Sequence, residues 1–213
     1  MTKLLLLAGA FALHLPGALL TVANHSFESA AIGTVGGGTG IVTSWTAAGS
    51  SASSNLRTSA SQLSGGPADG LQVLQVTDGS RFQTLTDVLA ANTIYTLTVA
   101  VGKRNDLTMA SYRFTLEAGA SVIATASGPP NAIPAAGDMD DVTITYTALS
   151  GDPLLGQALT IRLSHVNASG DALALYDNVR LDASPVTTTG DVPEPGAAFL
   201  VALGLACLKV RYR

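Results

Sequence analysis

A chain of 213 residues has room for one domain of ordinary size with short appendages, and two large domains are excluded. Charged residues make up only 12%, about half of the roughly 25% usual in a soluble domain, which excludes a coiled coil and a charged disordered chain. Eleven Lys and Arg against fifteen Asp and Glu, a formal −4, offer no basic surface for a phosphate backbone, so nucleic acid is not an expected partner.

The chain opens with Lys3, then Leu4 to Leu7 and an apolar stretch to Ala12. A short basic region followed by an apolar core and small residues reads as a secretory signal peptide over residues 1–23. Two cleavage points compete, after Ala12 with Ala10 in the −3 place, or after Ala23 with Thr21 there; His14 and Pro16 break the apolar run and favour the earlier one.

From Asn24 to Asp191 the chain holds seven basic and fourteen acidic residues, a formal −7, and no cysteine, because Cys207 lies further on. An exported domain of this composition has no disulfide and depends on packing, with a metal as the other available aid. The apolar runs come in order: Leu71 to Thr77, Arg81 to Leu89, Tyr95 to Val101, Tyr112 to Leu116, Val142 to Tyr146, Leu159 to Leu163 and Leu173 to Leu181. Several alternate strictly with Thr, the period-two signature of a half-buried strand, and none has helical periodicity. Asp78-Gly79, between the first two runs, predicts a tight hairpin, since it supplies the positive φ angles such turns need. Seven or more strands predict an all-β, antiparallel two-sheet jelly-roll sandwich over residues 24–184, because one open sheet would leave an apolar face bare. A linker follows at 185–191.

The last 22 residues have three parts in fixed order: Val192, Pro193, Glu194 and Pro195; an apolar stretch from Gly196 to Leu208; and a basic stop of Lys209, Arg211 and Arg213. Read as a transmembrane helix, 196–208 is short, about 20 Å against a hydrocarbon core of about 30 Å, which makes a weak permanent anchor. The basic end stays cytoplasmic and leaves the preceding domain outside. This tail resembles the PEP-CTERM sorting signal of Gram-negative, exopolysaccharide-producing bacteria. The resemblance implies transient anchoring in the inner membrane, cleavage near residues 192–195 by an exosortase-type membrane protease, and a final location at the cell surface or in the extracellular matrix, with exopolysaccharide as partner.

Within the middle, the opening Asn24, His25, Ser26, Phe27, Glu28, the run Tyr95 to Gly102, and the closing Tyr176, Asp177, Asn178, Val179, Arg180, Leu181 resemble the jelly rolls of carbohydrate-binding modules and galactose-binding-like domains. The resemblance implies that opening and close lie near each other, with a structural calcium between them, for which Glu28 and Asp177 are the candidate ligands. The residues agree at one point. Asp177 shares parity with Leu173, Leu175, Val179 and Leu181, so it should face the core, and a buried carboxylate needs either a cation or backbone N–H partners.

Other chemistry is sparse. His25 and His165 have no zinc-type spacing and no cysteine beside them, no Gly-x-Ser-x-Gly elbow occurs, and Gly36 to Gly40 lacks the lysine of a phosphate loop. Asp138, Asp140 and Asp141 lack the glycine and distal glutamate of an EF loop and read as a solvated turn. Trp45, the single tryptophan, is the one candidate platform for a sugar ring, against an ordinary place in the core. The expectation is therefore a non-enzymatic exported surface or matrix protein, with a carbohydrate-binding module that grips a glycan on its jelly-roll face as the alternative.

Overall fold

A computed structural model describes residues 17–49, 53–109, 111–128, 135–166 and 173–186. The sorting motif, the apolar segment 196–208 and the basic stop lie outside the described residues, as does the leader up to residue 16. Among the described residues no helix is long and apolar enough to cross a membrane.

Among the described residues, twelve strands form the unit Gly17–Pro185. They are β1 (Ala18–Leu20), β2 (Gly38–Thr39), β3 (Thr46–Ala48), β4 (Ser53–Arg57), β5 (Gln72–Val76), β6 (Ser80–Val88), β7 (Thr93–Gly102), β8 (Ser111–Ala118), β9 (Ser121–Gly128), β10 (Met139–Ala148), β11 (Ala158–Val166) and β12 (Ala174–Pro185). One sheet runs β10-β7-β12-β5-β4-β2, with β1 also on β12, and the other runs β3-β6-β11-β8-β9. All the ladders between them are antiparallel. This is the expected all-β sandwich. Period-two alternation buries Tyr95, Leu97, Val99 and Val101 of β7 against Phe114, Leu116, Ile161 and Leu163 of the facing sheet.

Two local expectations change. Asp78-Gly79 is a turn, with Gly79 at φ +67 and its N–H on Asp78 Oδ1 at 2.7 Å, but not a hairpin. Strand β5 is already paired on both sides, by β4 and β12, so the turn hands the chain to β6 in the other sheet. The second concerns the start of the domain. Ala18–Leu20 pair with Ala183–Leu181, Val22 is buried, and Gln83 clamps Ala23, its amide donating to the Ala23 carbonyl and its Oε1 accepting from the Ala23 N–H, each at 2.8 Å. Residues 18–23 thus form part of the sheet edge.

A smaller apolar cluster of Leu56, Leu63, Val73, Leu173 and Leu175 lies outside the main core. Leu175 is opposite Gln75 and Leu56 opposite Val73, so these side chains occupy the outer face of the first sheet. The loop 58–71 covers them with Leu63, and the 103–109 segment adds Leu107.

Candidate functional site

The site forms where the edge of β12 changes partner. β5 pairs with Ala174–Tyr176 and β1 with Leu181–Ala183, leaving 177–180 without a neighbouring strand on that side. In that interval the register against β7 slips between Asp177 and Arg180, and Asn178 takes φ +46. This bulge corrects the simple parity argument. Asp177, opposite Ala100, faces outward with Leu175, while Val179 and Leu181 face the main core. Asp177 is nonetheless fully buried, at 0% exposure, because the loop before β5 lies on it.

Two carboxylates pin that loop. Asp177 accepts N–H bonds from Asp69 at 2.8 Å and from Asn178 at 2.7 Å. Glu28 Oε1 accepts from Leu71 at 2.7 Å and Gln72 at 2.6 Å. Glu28 is delivered by the opening motif. Asn24 and Phe27 both have positive φ, the Asn24 side chain accepts from the Ser29 N–H at 2.9 Å, and Phe27 is buried against Trp45, ring centroids 5.4 Å apart. The Phe27 carbonyl accepts from Asn55 and Gln72. A Phe in this backbone region is strained, and its burial together with these bonds holds it there. Gly70 completes the fit, with φ +79 and a hypothetical Cβ only 2.5 Å from Glu28 Oε1.

The electrostatics of Asp177 are those of a buried acid without a cation. Burial, reinforced by the nearby Asp69 carboxylate, pushes its pKa up to about 8 against the opposing pull of the backbone N–H donors. Among the described residues neither Asp177 nor Glu28 is in an ion pair with Lys or Arg; His25 Nδ1 lies 3.7 Å from Asp69 Oδ2 on the same loop, both side chains half exposed. Three of the four oxygens of Asp177 and Glu28 already meet N–H donors. Among the described residues no three His, Cys, Asp or Glu side chains converge as a metal site. A calcium on Asp177 would meet oxygens that already accept N–H bonds and would need carbonyls or water for the rest of its shell.

The same loop shapes a cavity of about 290 Å³, with Val35, Arg57, Ser59, Leu63, Pro67 and Leu71 in its lining. Arg57 Nη1 donates to the carbonyls of Ile32 and Gly33 at 3.0 and 3.1 Å, so the guanidinium is already engaged on one side. The remaining wall mixes Val35, Leu63, Pro67 and Leu71 with the hydroxyls of Thr58, Ser59 and Ser64. Pro67 lines the cavity while Asp69, two residues on, bonds Asp177, which makes one short strap common to cavity and buried acid.

Trp45 does not offer a sugar-binding face. It is 3% exposed, packs on Phe27 and donates its Nε1–H to the Asn24 carbonyl at 3.2 Å. Among the described residues no aromatic side chain is exposed, and the half-buried Phe82 ring carries the Arg162 guanidinium 4.8 Å from its centroid. Asp141 pairs with Arg180 at 2.5 Å across the outer face of the first sheet. The cavity-forming loop 58–71, with few apolar residues and no periodicity, gave no functional signal in the sequence.

The comparisons with known proteins fall on both parts of the chain. The PEP-CTERM protein-sorting motif matches residues 191–213, so the tail carries this motif and marks an exported protein that an exosortase membrane protease recognises after transient anchoring. Among solved structures, a Stig cyclase from Fischerella sp. TAU, in complex with (3Z)-3-(1-methyl-2-pyrrolidinylidene)-3H-indole, is 26% identical with a TM-score of 0.73, over 81% of this chain and 100% of its own. A cyclase from the same source, bound to 4-(1H-indol-3-yl)butan-2-one, is 26% identical with a TM-score of 0.66, over 80% of this chain and 100% of its own. The CBM22-1-CBM22-2 tandem domain of Paenibacillus barcinonensis Xyn10C, 21% identical with a TM-score of 0.51 over 84% of this chain and 50% of its own, shares the fold alone. No curated protein matches the chain. The jelly roll is thus as expected, but the expectation of a non-enzymatic protein is overturned by the match of the HpiC1 cyclase model to residues 18–182, and the chain belongs to the HpiC1-like family.

Proposed function

We propose that the protein is an exported cyclase that closes a ring in a small, largely apolar molecule held in the cavity under the loop 58–71. The observation that carries this reading is the family match across the whole sandwich, 18–182, joined to the cavity of mixed apolar and hydroxyl lining beside the pinned loop. A volume of about 290 Å³ is at the small end for a ligand site and suits a compact substrate. Val35, Leu63, Pro67 and Leu71 would pack on the substrate and hold its chain folded, which favours ring closure over extended conformers. Ser59 and Ser64 supply hydroxyls, and Arg57 a fixed positive edge.

The test uses 4-(1H-indol-3-yl)butan-2-one as probe, since a Fischerella cyclase holds it. Val35 and Leu71 are both more than half exposed, so Val35→Trp and Leu71→Trp fill the cavity without entering the core. Binding measured by calorimetry should weaken about tenfold or more in the double variant, with an unchanged melting temperature. Wild-type affinity in the double variant would place the ligand elsewhere and remove this reading.

A second reading concerns the two carboxylates that pin the loop before β5: calcium held by Asp177 and Glu28, stiffening the loop that forms the cavity wall. Its test is thermal, and is argued below. After release from the membrane the domain is retained in exopolysaccharide, a destination supported by the sorting motif and checked by fractionating the matrix of the native cells.

A further inference from the structure

Both ends of the folded unit leave at one place. β1 and β12 are antiparallel with Ala18 opposite Ala183, so Gly17 and Pro185 are neighbours at the same end of the first sheet. Three turns meet there, 89–92 between β6 and β7, 119–120 between β8 and β9, and 149–157 between β10 and β11. Their backbones are tied by Leu89 N–H to the Gln157 carbonyl, Gly156 N–H to the Leu89 carbonyl, and Gly119 N–H to the Ala158 carbonyl, each at 2.9 Å.

This end is apolar where it should be wet. Seven large apolar side chains are exposed among the described residues, and four of them gather here: Val88 at 48%, Val122 at 50%, Leu149 at 58%, and Leu19, on the flank strand beside Asp182, at 65%. A cavity of about 400 Å³ lies between the same turns, with Leu20, Val88, Tyr95 and Pro185 in its lining and Asp87 and Asn92 at its polar side. None of the three turns contains Lys or Arg. Of the acids, Asp152 is spent internally, accepting from the Tyr146 hydroxyl and the Leu154 N–H.

The length of the following chain identifies what can cover this surface. Ten residues, 186–195, separate Pro185 from the apolar segment, a reach of about 35 Å when fully extended. While the apolar segment 196–208 is in the bilayer, the end bearing Pro185 is therefore the end nearest the lipid. We propose that this end rests on the membrane surface during anchoring, with Val88, Val122, Leu149 and Leu19 at the boundary between headgroups and acyl chains. The contact is apolar. Lacking basic residues, it requires no anionic lipid and does not weaken with salt. The proposal is independent of the cyclase reading and depends only on the tail being inserted.

The experiment is hydrogen exchange on the full chain in phosphatidylcholine vesicles, compared with the same chain carrying a protease site within 186–192 and cut there. Peptides covering 86–93, 119–123 and 149–157 should exchange several-fold more slowly in the anchored form, at low and high salt alike. The slowing should vanish in the triple variant Val88→Ser, Val122→Ser, Leu149→Ser, which keeps the wild-type melting temperature because all three side chains face outward. Equal exchange in anchored and released protein would overturn the proposal. So would slowing that rises with protein density at fixed lipid, which would assign the surface to a second copy of the chain.

Discussion

At the scale of single residues, Asp177 carries the most physical content. Its folded pKa is about 8 against an ordinary 3.8, so the folded state keeps a proton that the unfolded chain releases between those values. Stability is therefore greatest below the unfolded value and falls as pH rises through the window from about 4 to 8, by at most about 1.4 kcal/mol per pH unit. In chelator, urea midpoints measured across that window should show this decline, and Asp177→Asn should flatten it. A wild-type midpoint that does not change between pH 4 and 8 would mean the carboxyl is ionised in the fold. Calcium and the proton compete for the same oxygens, so calcium should stabilise more at about pH 8.5 than at about pH 6.5. At a hundredfold excess over its dissociation constant the gain is about 2.7 kcal/mol, roughly 5 to 10 °C in melting temperature. Identical melting curves with calcium and with chelator at the higher pH would leave Asp177 with backbone partners alone. Gly70 makes a separate case. Gly70→Ala brings a Cβ to 2.5 Å from the Glu28 carboxylate at φ +79, and should cost about 1 to 2 kcal/mol for the backbone region alone, read as a lower urea midpoint.

At the scale of elements, the long strands were legible and the short ones were not. β7, β8, β10 and β11 alternate cleanly in sequence because each turns an apolar face to the other sheet and a polar one outward, although Thr115, Glu117 and Thr160 on that outer side are themselves buried. β9, with Ser, Ala and Thr through most of Ser121–Gly128, is an edge strand of mixed exposure, and its period is too weak to read. The opening and closing motifs were correctly seen to approach each other, since the carbonyl of His25 accepts from Val179 N–H at 3.0 Å. The direction of Asp177 was not legible, because a single residue in the left-handed region at Asn178 reverses the parity of everything after it. The turn at Asp78-Gly79 shows the same limit: local chemistry fixes the turn, but which edges are free to pair is a property of the sheet. β1 gives a prediction at this scale. A leader cut after Ala23 would delete β1 and Val22 from the sheet edge, whereas a cut after Ala12 keeps them. Intact mass of protein released from native cells should therefore place the mature N-terminus upstream of Gly17; a mass beginning at Asn24 would show that the sandwich folds without its first strand.

At the scale of the whole molecule, the chain separates an address from an activity. The sandwich belongs to a cyclase family and the tail to a sorting system, and the tail's chemistry resides in four residues. Pro193 and Pro195 restrict their own φ, and Pro195 also disfavours the helical region at Glu194, so the sequence favours an extended backbone around the carboxylate. An extended segment with one charged side chain between two rigid residues is a shape that a protease cleft can read. Glu194→Ala removes the charge and keeps the backbone. The expected outcome is that this variant accumulates in the membrane fraction at full length, with the sandwich folded and its ligand affinity unchanged. Release at the wild-type rate would mean that the charge is not what the protease recognises, and would shift the recognition to the prolines or to the basic stop.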